Sequence, residues 1–332
     1  MRARGMGTLL GVAALVAALT GVPAAAGAQE RVKVRFGILT TGSQAAFYVG
    51  TKQGIFAKYG FDVEVKPLAT GVQANQALAA NQVDWSGGGV ESTAVAWSND
   101  LAFKAYSMYS KGGDSYALLV RKDAKIEKVA DLAGKRVAVP PGTAPAQGLS
   151  QLLLAAGLKA DAAKRVNAGY GAMGRMLIQG QVEAMAGLEP FVTLTQEEMK
   201  GEAVILTRMG KHVQGGGFFL ISNAWAQANP KKVMAAVAAL WEAQQFVRTR
   251  PREAAAIHAE FLKVEPRIVE TAFRYLEFNP LLDPFTMESL AKTVEFLQGE
   301  GLLKRKVDVQ AELKEAQAAI SELRRTRAAL LD

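Results

Sequence analysis

The chain of 332 residues contains no cysteine. That excludes disulfides, thiolate nucleophiles, cysteine-held metals and a lipid-anchored terminal thiol. Histidine is nearly absent too: His212 and His258 are the only two. Neither stands in an H-E-x-x-H pattern, so no metal site is expected. No G-x-S-x-G occurs, and neither histidine stands near a serine nucleophile motif. The glycine clusters at 87–89, 112–113 and 215–217 are not followed by G-K-[ST], so a phosphate loop is not formed. Charge of one sign is not concentrated: 39 Lys and Arg stand against 31 Asp and Glu, a net +8. The one dense basic run is Arg324-Arg325-Thr326-Arg327, and no basic patch is interleaved with aromatics. Nucleic acid is therefore not an expected partner.

What is present begins with a targeting signal. Arg2 and Arg4 precede an apolar run from Thr8 to Val22, and Ala26-Gly27-Ala28 reads as a cleavage site. Export with cleavage after Ala28 is expected, and with it a periplasmic location. No later stretch is long and apolar enough for a membrane span. The remainder is long enough for two lobes with separate cores.

The organising stretch is Asn81 to Trp97. Val83-Asp84-Trp85 reads as a short buried strand, Gly87-Gly88-Gly89 as a turn, and Val90 to Trp97 as the start of a helix. Such a junction exposes backbone N–H groups to a ligand, although the glycines also suit a plain tight turn. The pattern returns: Gln82-Val83-Asp84 recurs as Gln181-Val182-Glu183 and Gly88 as Gly187, at a common offset of 99 residues.

Strands are expected at Val32–Leu39, Asp62–Val65, Ala102–Tyr109, Ser115–Val120, Arg136–Val139, Val166–Ala168 and Phe218–Ser222. Helices alternate with them: Ser43 is placed to cap one carrying Ala45 to Val49, and others run through Ala74–Ala80 and Ala146–Ala156. Five more follow Asn229, the last from Gln310 to Leu330, which packs on the first lobe or pairs with a partner. The alternation argues for an α/β fold of two lobes, each a mostly parallel sheet flanked by helices. The expected division is 29–111 for the first part of lobe one, 112–217 for lobe two, and 218–332 for the return and the C-terminal helices. Lys111-Gly112-Gly113-Asp114 marks the crossing, as a hinge or as an ordinary hairpin turn.

Taken together, FGILTTGSQAAFYVGTKQGIFAKYGFDVEV (36–65), the repeat, DLAGKRVAVPPGT (131–143) and FFLIS (218–222) make the chain resemble the periplasmic solute-binding proteins of the nitrate, sulfonate and taurine ABC importers. That branch also holds binders of thiamine-pyrimidine precursors. The resemblance implies a type II two-lobed fold, capture of a small polar organic solute and delivery to an inner-membrane ABC permease, with no cofactor and no catalysis. The chain is expected to be a monomer. Residues expected around the ligand are Thr40, Thr41, Gly42, Ser43, Gln44, Phe47, Gly88, Gly89, Glu91 and Ser92 in lobe one, and Gly142, Thr143, Gln147, Tyr170 and Glu189 in lobe two.

Exposed N–H groups at helix starts favour an anion such as a sulfonate. Glu91 and Glu189, each placed at a helix start, act either as dipole-stabilising acids or as acceptors for a ligand amine. In the second case a taurine-like zwitterion or an aminopyrimidine is favoured over nitrate. Binding of a thiamine-pyrimidine precursor for uptake, or a biosynthetic enzyme of the same fold, is the alternative. The thiamine-pyrimidine synthases it would resemble act through a histidine and a cysteine-containing motif. This chain has no cysteine, and neither histidine lies in an expected mouth loop. A sensory ligand-binding domain is a third class.

Overall fold

The structure is a computed structural model, and it describes residues 31–330. The export signal and its cleavage point lie outside the described residues. Ten strands are formed among these: β1 (Val32–Leu39), β2 (Phe61–Leu68), β3 (Trp85–Gly89), β4 (Phe103–Ser110), β5 (Tyr116–Arg121), β6 (Arg136–Ala138), β7 (Lys164–Val166), β8 (Ala184–Leu188), β9 (Ala203–Arg208) and β10 (Gly217–Ser222). They make two five-stranded sheets, in the orders β2-β1-β3-β10-β4 and β7-β6-β8-β5-β9. In the first, β1 pairs parallel with β2 and β3, while β10 runs antiparallel to β3 and β4. The second repeats the plan: β6 pairs parallel with β7 and β8, and β5 runs antiparallel to β8 and β9. In each sheet four strands point one way. The fifth is the strand that has just crossed from the other sheet. Both sheets are therefore mixed.

Helices cover the sheets. In chain order they are α1 (Ala45–Lys52), α2 (Ile55–Lys58), α3 (Gly71–Ala79), α4 (Val90–Trp97), α5 (Ala144–Ala155), α6 (Tyr170–Ile178), α7 (Phe191–Glu198), α8 (Asn223–Ala228), α9 (Val233–Thr249), α10 (Pro251–Leu262), α11 (Pro266–Phe273), α12 (Pro284–Gly299), α13 (Val309–Glu312) and α14 (Lys314–Thr326). Each lobe has its own core. In the first, Phe36, Trp85 and Phe219 of the sheet pack ring to ring with Phe47 of α1, at centroid distances of 4.7–5.8 Å. Pairs at such spacing add stabilisation beyond their buried area. In the second, Leu118, Leu119, Val137, Met173 and Met185 are buried together.

Several local expectations change. Gly87, Gly88 and Gly89 belong to β3 and pair with Phe219, Phe218 and Gly217 of β10 rather than forming a turn. Close approach explains them: a Cβ at Gly87 would lie 2.4 Å from Gln44 Nε2, and one at Gly88 would lie 2.6 Å from Thr93 Oγ1 and 2.7 Å from Leu220 Cδ1. Ser43 does not cap α1, because a single turn of 3₁₀ helix at Gly42–Gln44 leads into it and its hydroxyl instead lies 3.0 Å from Thr41 Oγ1. The strand expected at Val166–Ala168 pairs two residues earlier, as β7. The final helix is broken into α13 and α14 at Leu313, which is fully buried. β9 and α8 were not anticipated.

The crossing at residues 111–115 is tightly packed. A Cβ on Gly112, at φ +138°, would lie 2.2 Å from Tyr275 O, and one on Gly113 would lie 1.8 Å from Val213 O. Here glycine serves the approach of backbone to backbone.

Candidate functional site

Between the lobes lies a cavity of about 40 Å³. The first lobe lines it with Leu39 at the end of β1, Thr41 and Ser43 just after it, Gly71 at the start of α3, Gly89, Glu91 and Ser92 at the β3–α4 junction, and Tyr109 of β4. Gly216, just before β10, completes that side. The second lobe contributes Tyr116 of β5, Thr143 and Ala144 at the start of α5, Tyr170 at the start of α6 and Leu188 at the end of β8. Four helices thus open at the cavity wall, and their first N–H groups carry partial positive charge.

Glu91 is the one charged side chain of the lining. It is 2% exposed, and among the described residues no lysine, arginine or histidine pairs with it. Burial pushes its carboxyl up to about 7, offset only by a hydrogen bond from its own backbone N–H. Three phenols face the same space. Tyr109 shares hydrogen bonds with Gln44 and Ser43, Tyr170 shares one with Thr143, and the Gly216 N–H donates to Tyr116 Oη at 3.2 Å. Burial raises all three hydroxyls above their ordinary value, with Glu91 adding repulsion, so they remain neutral donors and acceptors at neutral pH.

Of the residues expected here, Thr41, Ser43, Gly89, Glu91, Ser92, Thr143 and Tyr170 line the cavity. The others stand elsewhere. Gln44 is structural: its Oε1 accepts from Leu39 N at 2.7 Å and its Nε2 donates to Gly87 O at 3.1 Å, tying the mouth loop to β3. Phe47 is core, and Gly88 is a packing glycine of β3. Gly42 packs on α11, where a Cβ would lie 3.2 Å from that of Ala272. Thr40 borders an apolar crevice with Tyr48, Pro190, Phe191 and Phe261. Gly142 and Gln147 border another beside α12, where Gln147 Nε2 lies 3.4 Å from Thr293 Oγ1.

Glu189 is not in the lining, although it lies in the matching stretch of lobe two. Its carboxylate is already engaged: Arg208 Nη2 donates at 2.9 Å, Thr193 N at 3.1 Å and Thr193 Oγ1 at 2.8 Å. Arg208 in turn stacks its guanidinium 3.6 Å over the Tyr275 ring. Tyr109 and Tyr116 were missed. The available signal was position: they flank the crossing at 111–115, and a crossing segment runs past the floor of an interlobe cleft.

His258 supports the mouth loop from behind. It is fully buried, and its Nε2 lies 2.9 Å from Thr41 O. Burial lowers its pKa to about 4, so it is neutral and donates to that carbonyl.

Relatives share this architecture. Over 312 residues the chain is 23% identical to a candidate aliphatic sulfonates-binding protein of Bacillus subtilis (strain 168), covering 92% of this chain and 93% of the relative. Over 202 residues it is 28% identical to the taurine-binding periplasmic protein of Escherichia coli (strain K12), covering 59% and 61%. Among solved structures, the alkanesulfonate-binding protein of Xanthomonas axonopodis pv. citri, bound to MOPS, superposes with a TM-score of 0.75 at 20% identity, covering 85% of this chain and 98% of that one. The periplasmic nitrate-binding protein of Synechocystis PCC 6803 gives 0.74 at 16% identity, covering 91% of each. A desulfurization enzyme shares the fold at 0.64 and 17% identity, covering 88% and 99%. The model of the family described as NMT1/THI5 like matches residues 42–254, more than half of the sequence, and the chain belongs to that family.

Proposed function

We propose that this protein is the periplasmic solute-binding component of an ABC importer, taking a small polar organic molecule of the sulfonate or taurine class between its lobes and presenting it to a permease. The observation that carries the reading is a cavity walled by both lobes and lined by hydroxyls, backbone N–H groups and one acid. Around it the lobes touch. Arg267 of α11 donates to Glu197 Oε2 of α7 at 2.9 Å, Gln147 reaches Thr293, and Arg208 stacks on Tyr275. A solute reaches such a cavity only when the lobes part, and it favours closure because it touches both. Binding is preferred to catalysis because the lining offers neither thiol nor imidazole. The relatives that bind sulfonates and taurine support the solute class, and their periplasmic setting supports the permease partner.

The test is titration calorimetry of the exported chain against alkanesulfonates, taurine, amino acids and aminopyrimidines, with small-angle scattering at saturation. Binding by one class with a fall in the radius of gyration is expected. No binding across the panel, or binding without compaction, would overturn the reading.

A further inference from the structure

We infer that the solute carries a cationic group, a protonated amine or amino-heterocycle, and that this group docks on the Glu91 carboxylate between Tyr109, Tyr116 and Tyr170. The inference rests on the solute-binding reading and specifies the charge its ligand must bear. It starts from a contrast between the lobes. Glu91 and Glu189 are equally buried, at 2% and 1% exposure. Glu189 is neutralised by Arg208 and two Thr193 donors, as a buried carboxylate requires. Glu91 has no such partner, yet it faces the cavity. The missing counter-charge therefore belongs in the cavity.

The rest of the lining agrees. No lysine or arginine reaches it, so a bare inorganic anion would meet one acid and no full positive charge. Tyrosine rings favour a desolvated cation through their quadrupole. The starts of α3, α5 and α6, with Ser43 and Thr143, remain for an anionic or polar end of the same ligand. An amino acid, an aminosulfonate or an aminopyrimidine satisfies this arrangement, and nitrate does not.

Docking of a cation has a proton signature. The titratable groups facing Glu91 are Tyr109 from β4, Tyr116 from β5 and Tyr170 from α6, all neutral. α3, β3 and β10 bring no titratable side chain. α12, packed on α4, turns Leu290, Thr293 and Leu297 inward and leaves its Glu288–Lys292 pair in solvent. Glu91 alone therefore exchanges a proton near neutrality, and a cation drives that proton off.

The experiment uses the mature chain and ligand pairs that differ only at an amine already protonated near pH 7: taurine and isethionate, glycine and glycolate. Calorimetry runs near pH 7 in buffers of different ionisation enthalpy. The expected result is that an amine-bearing member binds more tightly than its amine-free partner and releases protons. Glu91→Gln, whose fold is checked by its unfolding transition, should weaken that member about ten- to a hundred-fold and abolish the proton release. If an amine-free member binds as tightly as its partner with compaction, the inference fails while the solute-binding reading stands. Equal affinity of Glu91→Gln and wild type for the amine-bearing member also overturns the inference. No binding by any pair or by the wider panel removes both.

Discussion

At the scale of single residues, two buried groups beside the mouth loop pull stability in opposite directions with pH. Glu91 is raised from 4.5 to about 7, so the folded protein keeps a proton that the unfolded chain releases. Its contribution is intact below pH 4.5 and is lost as pH rises through 7, a loss on the order of 3 kcal/mol. His258 is lowered from 6.5 to about 4, so its contribution is intact above 6.5 and is lost as pH falls through 4. Between those limits the slopes oppose each other. Glu91→Gln should therefore gain stability over wild type at about pH 8 and gain nothing at about pH 4, as read by urea unfolding. A difference independent of pH would show that Glu91 is not held protonated. The position of Glu91 was visible in the sequence, because an acid at a strand-to-helix junction points at the strand's carboxyl edge. That Glu189 is spent was not visible. Its partner Arg208 lies 19 residues away on β9, an edge strand with no marked alternation, and the pairing exists only once the sheet has formed.

At the scale of elements, the alternation of strands and helices was legible because β1 (VKVRFGIL) and β2 (FDVEVKPL) alternate apolar with polar residues. β1 falls on the residues its alternation marks. The glycine run was misjudged because sequence shows that a side chain is missing but not what occupies its place. In β3 the space is filled by Gln44, Phe47, Thr93 and Leu220. Gly88→Ala should accordingly cost about 1–3 kcal/mol through overpacking, without altering the backbone conformation. Gly134 is different: its φ is +72°, and an added methyl would meet nothing within 4 Å. Alanine there should cost only the left-handed strain, about 1–2 kcal/mol. Denaturant midpoints of the two variants check this: rescue of Gly88→Ala by Thr93→Ala or Leu220→Val, which remove the crowding atoms, with no rescue of Gly134→Ala, is the expected pattern. Equal behaviour would mean that crowding is not what holds the β3 glycines. Breaks such as Leu313 stay hidden for a related reason: the helical stripe continues through them, and only burial against the sheet decides where the axis turns.

At the scale of the whole molecule, the two sheets share one plan while the cavity they enclose is asymmetric in charge. The first lobe brings Glu91; the second brings Tyr116, Thr143, Ala144, Tyr170 and Leu188, all uncharged. This asymmetry separates arrival from residence. A cationic solute is drawn to the open first lobe by charge, so Glu91→Gln should slow association and flatten its salt dependence. The second lobe acts after landing, as a neutral cover. Tyr170→Phe should leave association unchanged and raise dissociation about two- to ten-fold, the loss of one hydrogen bond. Stopped-flow fluorescence with the amine-bearing ligand measures both constants, and a change in association for Tyr170→Phe would contradict the division. Seen as a clock, under the proposed function one half of the molecule sets how soon a solute is caught and the other how long it is kept, so dwell time would be tuned without touching the charge inferred to select the cargo.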